Sequence, residues 1–143
     1  MDRGFDIRPA TEEDYPQIKR IANQHRQFLP FVMRVSIVEA TKGGEVYVAH
    51  VGDHVVGFVN FHKRRDGTTT IHEIAVDRGS GGTGVGKSLV GLLDRPIMLK
   101  VTQDNPANQF YQKLGFEIVG TQHGKIRPLN VYRLGPEKND GSV

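Results

Sequence analysis

Residues 81–88 read GGTGVGKS, and the string satisfies the pattern G-x-x-x-x-G-K-[ST] at Gly81, Gly86, Lys87 and Ser88. That pattern marks a loop whose backbone amides cradle the phosphates of a nucleoside triphosphate. The fold turns on whether this loop opens a parallel nucleotide-binding sheet or sits in another frame. Upstream, residues 45–50, 55–62 and 69–76 alternate with a period of two, and Gly52-Asp53 and Asp66-Gly67 between them are turn signals. This predicts an antiparallel meander ahead of the loop. A nucleotide-binding strand runs directly into its first glycine, whereas Asp77, Arg78, Gly79 and Ser80 intervene here. After Ser88 too little chain remains for the usual parallel βα units. An apolar run ending in Asp, needed for magnesium, is also poorly met, because Thr102 and Gln103 separate Val101 from Asp104. The nucleotide match is therefore read as accidental, and a P-loop nucleotide binder is a distant third reading.

The physics of the loop survives that demotion. Gly79, Gly81, Gly82, Gly84 and Gly86 precede an apolar helical stretch with Leu89, Val90, Leu92 and Leu93. A glycine-rich turn entering a helix exposes several N–H groups, and an anion, a phosphate above all, is expected there. Side chains at 82, 84 and 86 would block its close approach. A turn whose glycines serve only packing is the plainer alternative, and it accounts for fewer of them.

Around the loop the periodicities give an ordered chain. Residues 5–8 read as a first strand, and Thr11 as the cap of a helix carrying Tyr15, Ile18, Ile21, Ala22 and His25 on one face, with Pro16 a source of distortion. A second helix is expected over 31–40. Downstream come a strand at 97–101, a helix at 105–114 closed by Gly115, and strands at 116–119 and 131–134. The order is strand, two helices, three strands, helix, strand, helix, two strands: an α/β (α+β) chain on a mixed sheet.

Composition bounds the class. The 143 residues are 37% hydrophobic and 24% charged, with no cysteine and a net charge of +3. Disulfides, thiol catalysis and cysteine-held zinc are excluded. No apolar run reaches the roughly 18 residues of a membrane span, and no apolar signal region opens the chain, so a cytoplasmic protein is expected. Lys63, Arg64 and Arg65 form the one tight basic cluster, beside a turn, which reads as a solvated hairpin tip rather than a nucleic-acid surface. His50 and His54 flank a turn rather than sharing a helix face, so no metal site is expected.

Two blocks then resemble the GNAT superfamily of N-acetyltransferases. EIAVDRGSGGTGVGKSL, from Glu73 to Leu89, is similar to the family's acetyl-CoA motif, an arginine or glutamine followed by x-x-G-x-G or G-x-A. VTQDNPANQFYQKLGFEIVG, from Val101 to Gly120, is close to the family's C-terminal N-x-x-A-x-x-F-Y-x-K-L-G-F block, and IRPATEEDYPQI resembles its opening strand and helix. The resemblance implies a mostly antiparallel central sheet with a splayed pair of strands and about four helices. It also implies one domain over 1–134 with a polar tail at 135–143. Gly81 stands where the family has arginine or glutamine, and Asp104 where it has asparagine.

The activity implied is transfer of an acetyl group from acetyl-CoA to a primary amine by direct attack in a ternary complex. The alternative is a non-catalytic acyl-CoA-binding or regulatory module of the same fold. Under the resemblance, Gly82, Thr83, Gly84, Val85, Gly86, Lys87 and Ser88 hold the CoA pyrophosphate. The backbone of Ile74, Ala75 and Val76 places the thioester, and Asn105 and Asn108 are further contacts. Tyr111 occupies the family's acid position. Glu73 is the candidate base, with His72 on the opposite strand face and a water wire as alternatives. The acceptor, a small-molecule or peptide amine, is expected against residues 25–31, where Gln27, Phe28 and Arg34 are the nearby side chains, and against 123–130. Monomer and homodimer both remain open.

Overall fold

The computed structural model describes residues 4–27, 34–124 and 127–136. Seven strands and four helices alternate in the expected order. They are β1 (Asp6–Pro9), α1 (Tyr15–Gln24), α2 (Arg34–Lys42), β2 (Val46–Val51), β3 (His54–Lys63), β4 (Thr69–Val76), α3 (Val85–Gly91), β5 (Ile97–Thr102), α4 (Ala107–Lys113), β6 (Glu117–His123) and β7 (Pro128–Leu134). The sheet order is β1-β2-β3-β4-β5-β7-β6. β1 with β2, β2 with β3, β5 with β7 and β6 with β7 pair antiparallel. The parallel rungs of β4 on β5 are Thr69↔Ile97 and Thr70↔Met98, and the pairing stops there although β4 runs on to Val76. This mostly antiparallel sheet is not the frame of a nucleotide-binding P-loop.

The chain divides into two compact units, residues 1–62 with 71–92 and residues 63–70 with 93–143. In the first, α1 buries Tyr15, Ile18, Ile21 and Ala22, the face that the spacing predicts. Pro16 does not distort the helix. It lies in the first turn, where a missing N–H has no partner to lose. Ahead of it a 3-10 turn, Glu12–Asp14, is pinned by Asp14, which takes Arg8 at 2.7 and 2.9 Å and the Thr11 N–H at 2.8 Å. Burial pushes the Asp14 pKa up, but Arg8 and Thr11 outweigh it and hold it below the usual carboxylate range. His25 is not on the buried helix face, because α1 ends at Gln24. The second helix runs to Lys42 rather than stopping at 40, and residues 31–33 of the expected helix lie outside the described residues.

β3 is buried on both faces from Val55 to Phe61, so it shows no alternation. Gly57 in its middle has a steric reason. A Cβ there would lie 2.7 Å from Val85 Cγ1 and 3.4 Å from Leu89 Cδ1, so the glycine is what lets α3 lie on the strand.

In the second unit, Tyr132 is fully buried and Tyr111 and Phe116 pack with it, the Tyr111 ring 5.6 Å from Phe116 and 5.8 Å from Tyr132. α4 begins at Ala107, two residues later than expected, with Asn105 receiving the Ala107 N–H at 2.8 Å. β6 and β7 are each three residues longer than the apolar pattern suggests, because all of β6 is exposed and shows no hydrophobic face. Most of the expected tail lies outside the described residues.

Candidate active site

β4 leads the chain to the glycine loop. Ala75 is buried, Ile74 and Val76 are half-buried, and the Val76 carbonyl accepts a hydrogen bond from His25 Nε2 at 2.8 Å. Asp77 follows as a node. Its carboxylate accepts from Arg20 at 3.0 Å, the Gly79 N–H at 3.1 Å and Gln24 at 3.4 Å, and His54 Nε2 lies 3.4 Å away. These hydrogen bonds, Arg20 first, hold the Asp77 pKa down to about 2. Gln24 also accepts the Arg78 N–H at 2.9 Å, so the last turn of α1 is tied to the 3-10 turn Arg78–Ser80.

Beyond this anchor, Gly82 and Gly84 have φ of +80° and +86°. Nothing lies within 4 Å of where their Cβ atoms would be, so the backbone angle rather than crowding by the protein demands glycine. The first helical bond of α3 runs from the Ser88 N–H to the Gly84 carbonyl at 3.0 Å. The N–H groups of Gly84, Val85, Gly86 and Lys87 therefore have no acceptor within the helix. Thr83 turns its hydroxyl onto the Ser80 carbonyl, Lys87 is exposed and Val85 is buried. Gly81 differs from its neighbours: its φ of −61° and ψ of 141° suit any residue.

The same unit holds a cleft of about 560 Å³ bordered by α2, the start of β2, the end of β3 and β4. Both candidate bases line it. Glu73 is half-buried and receives Asn60 Nδ2 at 2.8 Å, while His72 is exposed and its ring stacks on His62 with centroids 6.5 Å apart. Burial raises the Glu73 pKa above the usual carboxylate range, against the pull of Asn60 and His72. Asn60 escaped the sequence reading. An asparagine inside the unbroken apolar run of β3 was the available signal, since such a residue needs a partner. Glu39 and Glu45 also border the cleft, and in sequence they are ordinary helix and turn acids.

In the second unit, Tyr111 is 6% exposed. Burial pushes its pKa up, with Tyr132 adding to the effect, and the phenol stays protonated. Its hydroxyl has no hydrogen-bond partner among the described residues. Asn108 is fully engaged: Nδ2 donates to the Thr102 and Asn105 carbonyls at 3.0 and 2.6 Å, and Oδ1 accepts from Tyr132 and Asn130 at 2.7 and 3.0 Å. Asn105 uses its oxygen on Ala107 and keeps its amide donors. Asp104 pairs with Arg127 at 3.3 Å. Of the expected acceptor region, Gln27 is exposed at the end of the described stretch. Phe28 and the Arg34 side chain lie outside the described residues.

No helix among the described residues is long and apolar enough to cross a membrane. Compared with known proteins, the family model described as an acetyltransferase (GNAT) domain matches residues 42–118, more than half of the chain. The 5-NmdU N-acetyltransferase of Pseudomonas phage PaMx11 is 28% identical over 127 residues, covering 82% of this chain and 91% of its own. Ard1 from Thermoplasma volcanium has the same fold, with a TM-score of 0.83 at 21% identity over 94% of this chain and 99% of its own. Arabidopsis thaliana Naa50, solved in complex with the bisubstrate analogue CoA-Ac-MVNAL, matches with a TM-score of 0.73 at 21% identity, covering 92% and 99%. With its glycine loop, its seven-stranded sheet and this family match, the chain belongs to the GNAT acetyltransferase family.

Proposed function

We propose that this protein is an acetyl-CoA-dependent N-acetyltransferase that acetylates a primary amine directly in a ternary complex. The observation that carries the reading is the row of N–H groups from Gly84 to Lys87, preceded by open glycine backbone at 82 and 84. Such a row fits the pyrophosphate of CoA, a dianion that backbone donors can hold without a metal. Ser88, the Lys87 ammonium and the backbone of Thr83, whose hydroxyl is spent on the Ser80 carbonyl, add to the cradle. Asn105, with its amide donors uncommitted, is the better of the two asparagines for a further contact.

Acetyl-CoA supplies an activated thioester, whose C–S bond breaks as the C–N bond forms on the amine. The backbone at Ile74, Ala75 and Val76 orients the carbonyl and stabilises its developing negative charge. Glu73 takes the proton that the attacking ammonium must lose. Its raised pKa keeps a carboxylate that is a stronger base than an exposed one. Tyr111, protonated and with no hydrogen-bond partner for its hydroxyl among the described residues, returns a proton to the departing sulfur.

A panel of amines tests the reading, with free thiol release as the signal. It includes peptide N-termini, as in the ligand of Naa50, and 5-NmdU, the acceptor named for the phage relative. Turnover on at least one amine is expected, with Tyr111→Phe slowing it by about 10²-fold at neutral pH. Binding of CoA with no turnover on any amine would put the non-catalytic module in its place, and an unchanged Tyr111→Phe rate at every pH would remove the acid role.

A further inference from the structure

The last residue of β4 is held by more than the sheet. Asp77 donates its N–H to the Val56 carbonyl of β3 at 2.8 Å, and the Ala75 carbonyl lies 3.3 Å from where a Cβ of Gly57 would stand. Both residues therefore turn their backbone groups toward β3. Successive residues of a strand turn those groups to opposite edges. The N–H and C=O of Val76 thus point to the other edge, along which the rungs to β5 end at Thr70. There a side chain rather than a strand meets the Val76 carbonyl: His25, half-buried just past the end of α1, has Nε2 2.8 Å from it. A carbonyl can only accept, so the ring carries its proton on Nε2, in the neutral and the charged form alike.

α1 is already tied to this end of the sheet without that bond. Gln24 accepts the Arg78 N–H at 2.9 Å, and Arg20 reaches both Asp77 and the Val55 carbonyl at 3.0 Å. What His25 changes is the polarity of the open edge. With its carbonyl capped, Val76 presents its N–H there with no bare carbonyl oxygen on the same residue. In acetyl transfer the amine nitrogen bonds to the thioester carbon and the carbonyl electron pair moves onto oxygen. When that pair returns, the C–S bond breaks and sulfur leaves with its electrons. The oxygen's transient charge is stabilised by an N–H and repelled by a bare carbonyl. We infer that His25 is a positioning residue for this step: by donating to the Val76 carbonyl it fixes the end of β4 so that the Val76 N–H receives the thioester oxygen. The role rests on the acetyltransferase reading, since it acts through the strand proposed to orient the thioester.

The test uses acetyl-CoA labelled with carbon-13 at the thioester carbonyl, because a hydrogen bond to the oxygen moves that resonance downfield and no amine is needed. His25→Phe keeps a ring and removes the donor, whereas His25→Gln returns an N–H at the reach of Nε2. The signal should move downfield on binding to the wild type and to His25→Gln. In His25→Phe most of that displacement should be lost, while CoA affinity by calorimetry stays within about twofold of the wild type. With an amine that turns over, His25→Phe should lower kcat about tenfold at an unchanged KM for acetyl-CoA, and His25→Gln should recover most of it. A melting curve checks the fold of each variant. An equal displacement in all three proteins, or a kcat lost equally in both variants, overturns the positioning role while leaving acetyl transfer intact. A kcat that falls only together with the melting temperature and CoA affinity makes His25 a brace and overturns the role as well. Absence of CoA binding by the wild type removes the acetyltransferase reading, and the role with it.

Discussion

Glu73 sits half-buried with one amide donor, so its carboxylate is held at some expense to the fold, an environment that suits the base role proposed for it. Its folded pKa is raised, so the charged form is disfavoured in the native state. Stability therefore falls as pH rises through the ordinary carboxylate value, where the unfolded chain gives up the proton first. Glu73→Gln is expected to raise the melting temperature at neutral pH while lowering kcat by about 10²- to 10⁴-fold. The proposed base works only when ionised, so in the wild type the acidic limb of the kcat/KM profile should fall above the ordinary carboxylate range. A pH–rate series with a melting curve for the variant checks both. Asn108 is a contrasting residue. Both of its donors and both lone pairs are spent on protein, so Asn108→Ala should cost about 1–3 kcal/mol in a denaturant titration. Its role as a brace for Tyr132 was not readable from sequence. The asparagine lies in a block that resembles a cofactor motif, and its partners at 130 and 132 arrive from a strand much later in the chain.

Elements were legible where a period or a breaker marked them, and less so elsewhere. β4 matches its predicted bounds because Thr69 to Val76 alternates between turn residues, whereas β6 lost half its length because it has no buried face. Nor could periodicity order the strands: the insertion of β7 between β5 and β6 is a matter of pairing partners, which local sequence does not encode. The packing of α3 on β3 shows another such limit. Gly57 looks like a weak spot in a strand, yet the contact at 2.7 Å makes it the seat of the helix that begins with the glycine loop. Gly57→Ala should destabilise the protein by about 1–3 kcal/mol through overpacking and should raise the KM for acetyl-CoA as α3 is displaced. Gly120→Ala, where nothing lies within 4 Å, is the control and should melt within about 0.5 kcal/mol of the wild type.

For the molecule as a whole, Asp77 and Asp14 are among the carboxylates that shape its response to acid. Asp77 and Asp14 both have lowered folded pKa values, so each contributes stability above the ordinary carboxylate range and loses it as pH falls, for Asp77 down through about 2. The melting temperature should therefore drop on acidification below about pH 4, and Asp77→Asn should flatten that drop. The family and its fold class could be seen in two short blocks, yet the division into two units and the acid-lined cleft required coordinates. Gly81 leads to a different kind of statement. Its backbone is in an ordinary extended conformation, and an added Cβ would meet only the Arg78 carbonyl, at 3.6 Å. The absence of the family's arginine or glutamine is thus not imposed by the loop. Gly81→Gln should fold normally and lower the KM for acetyl-CoA, so donor affinity in this protein lies one tolerated substitution from a tighter setting, open to selection without any rebuilding of the backbone.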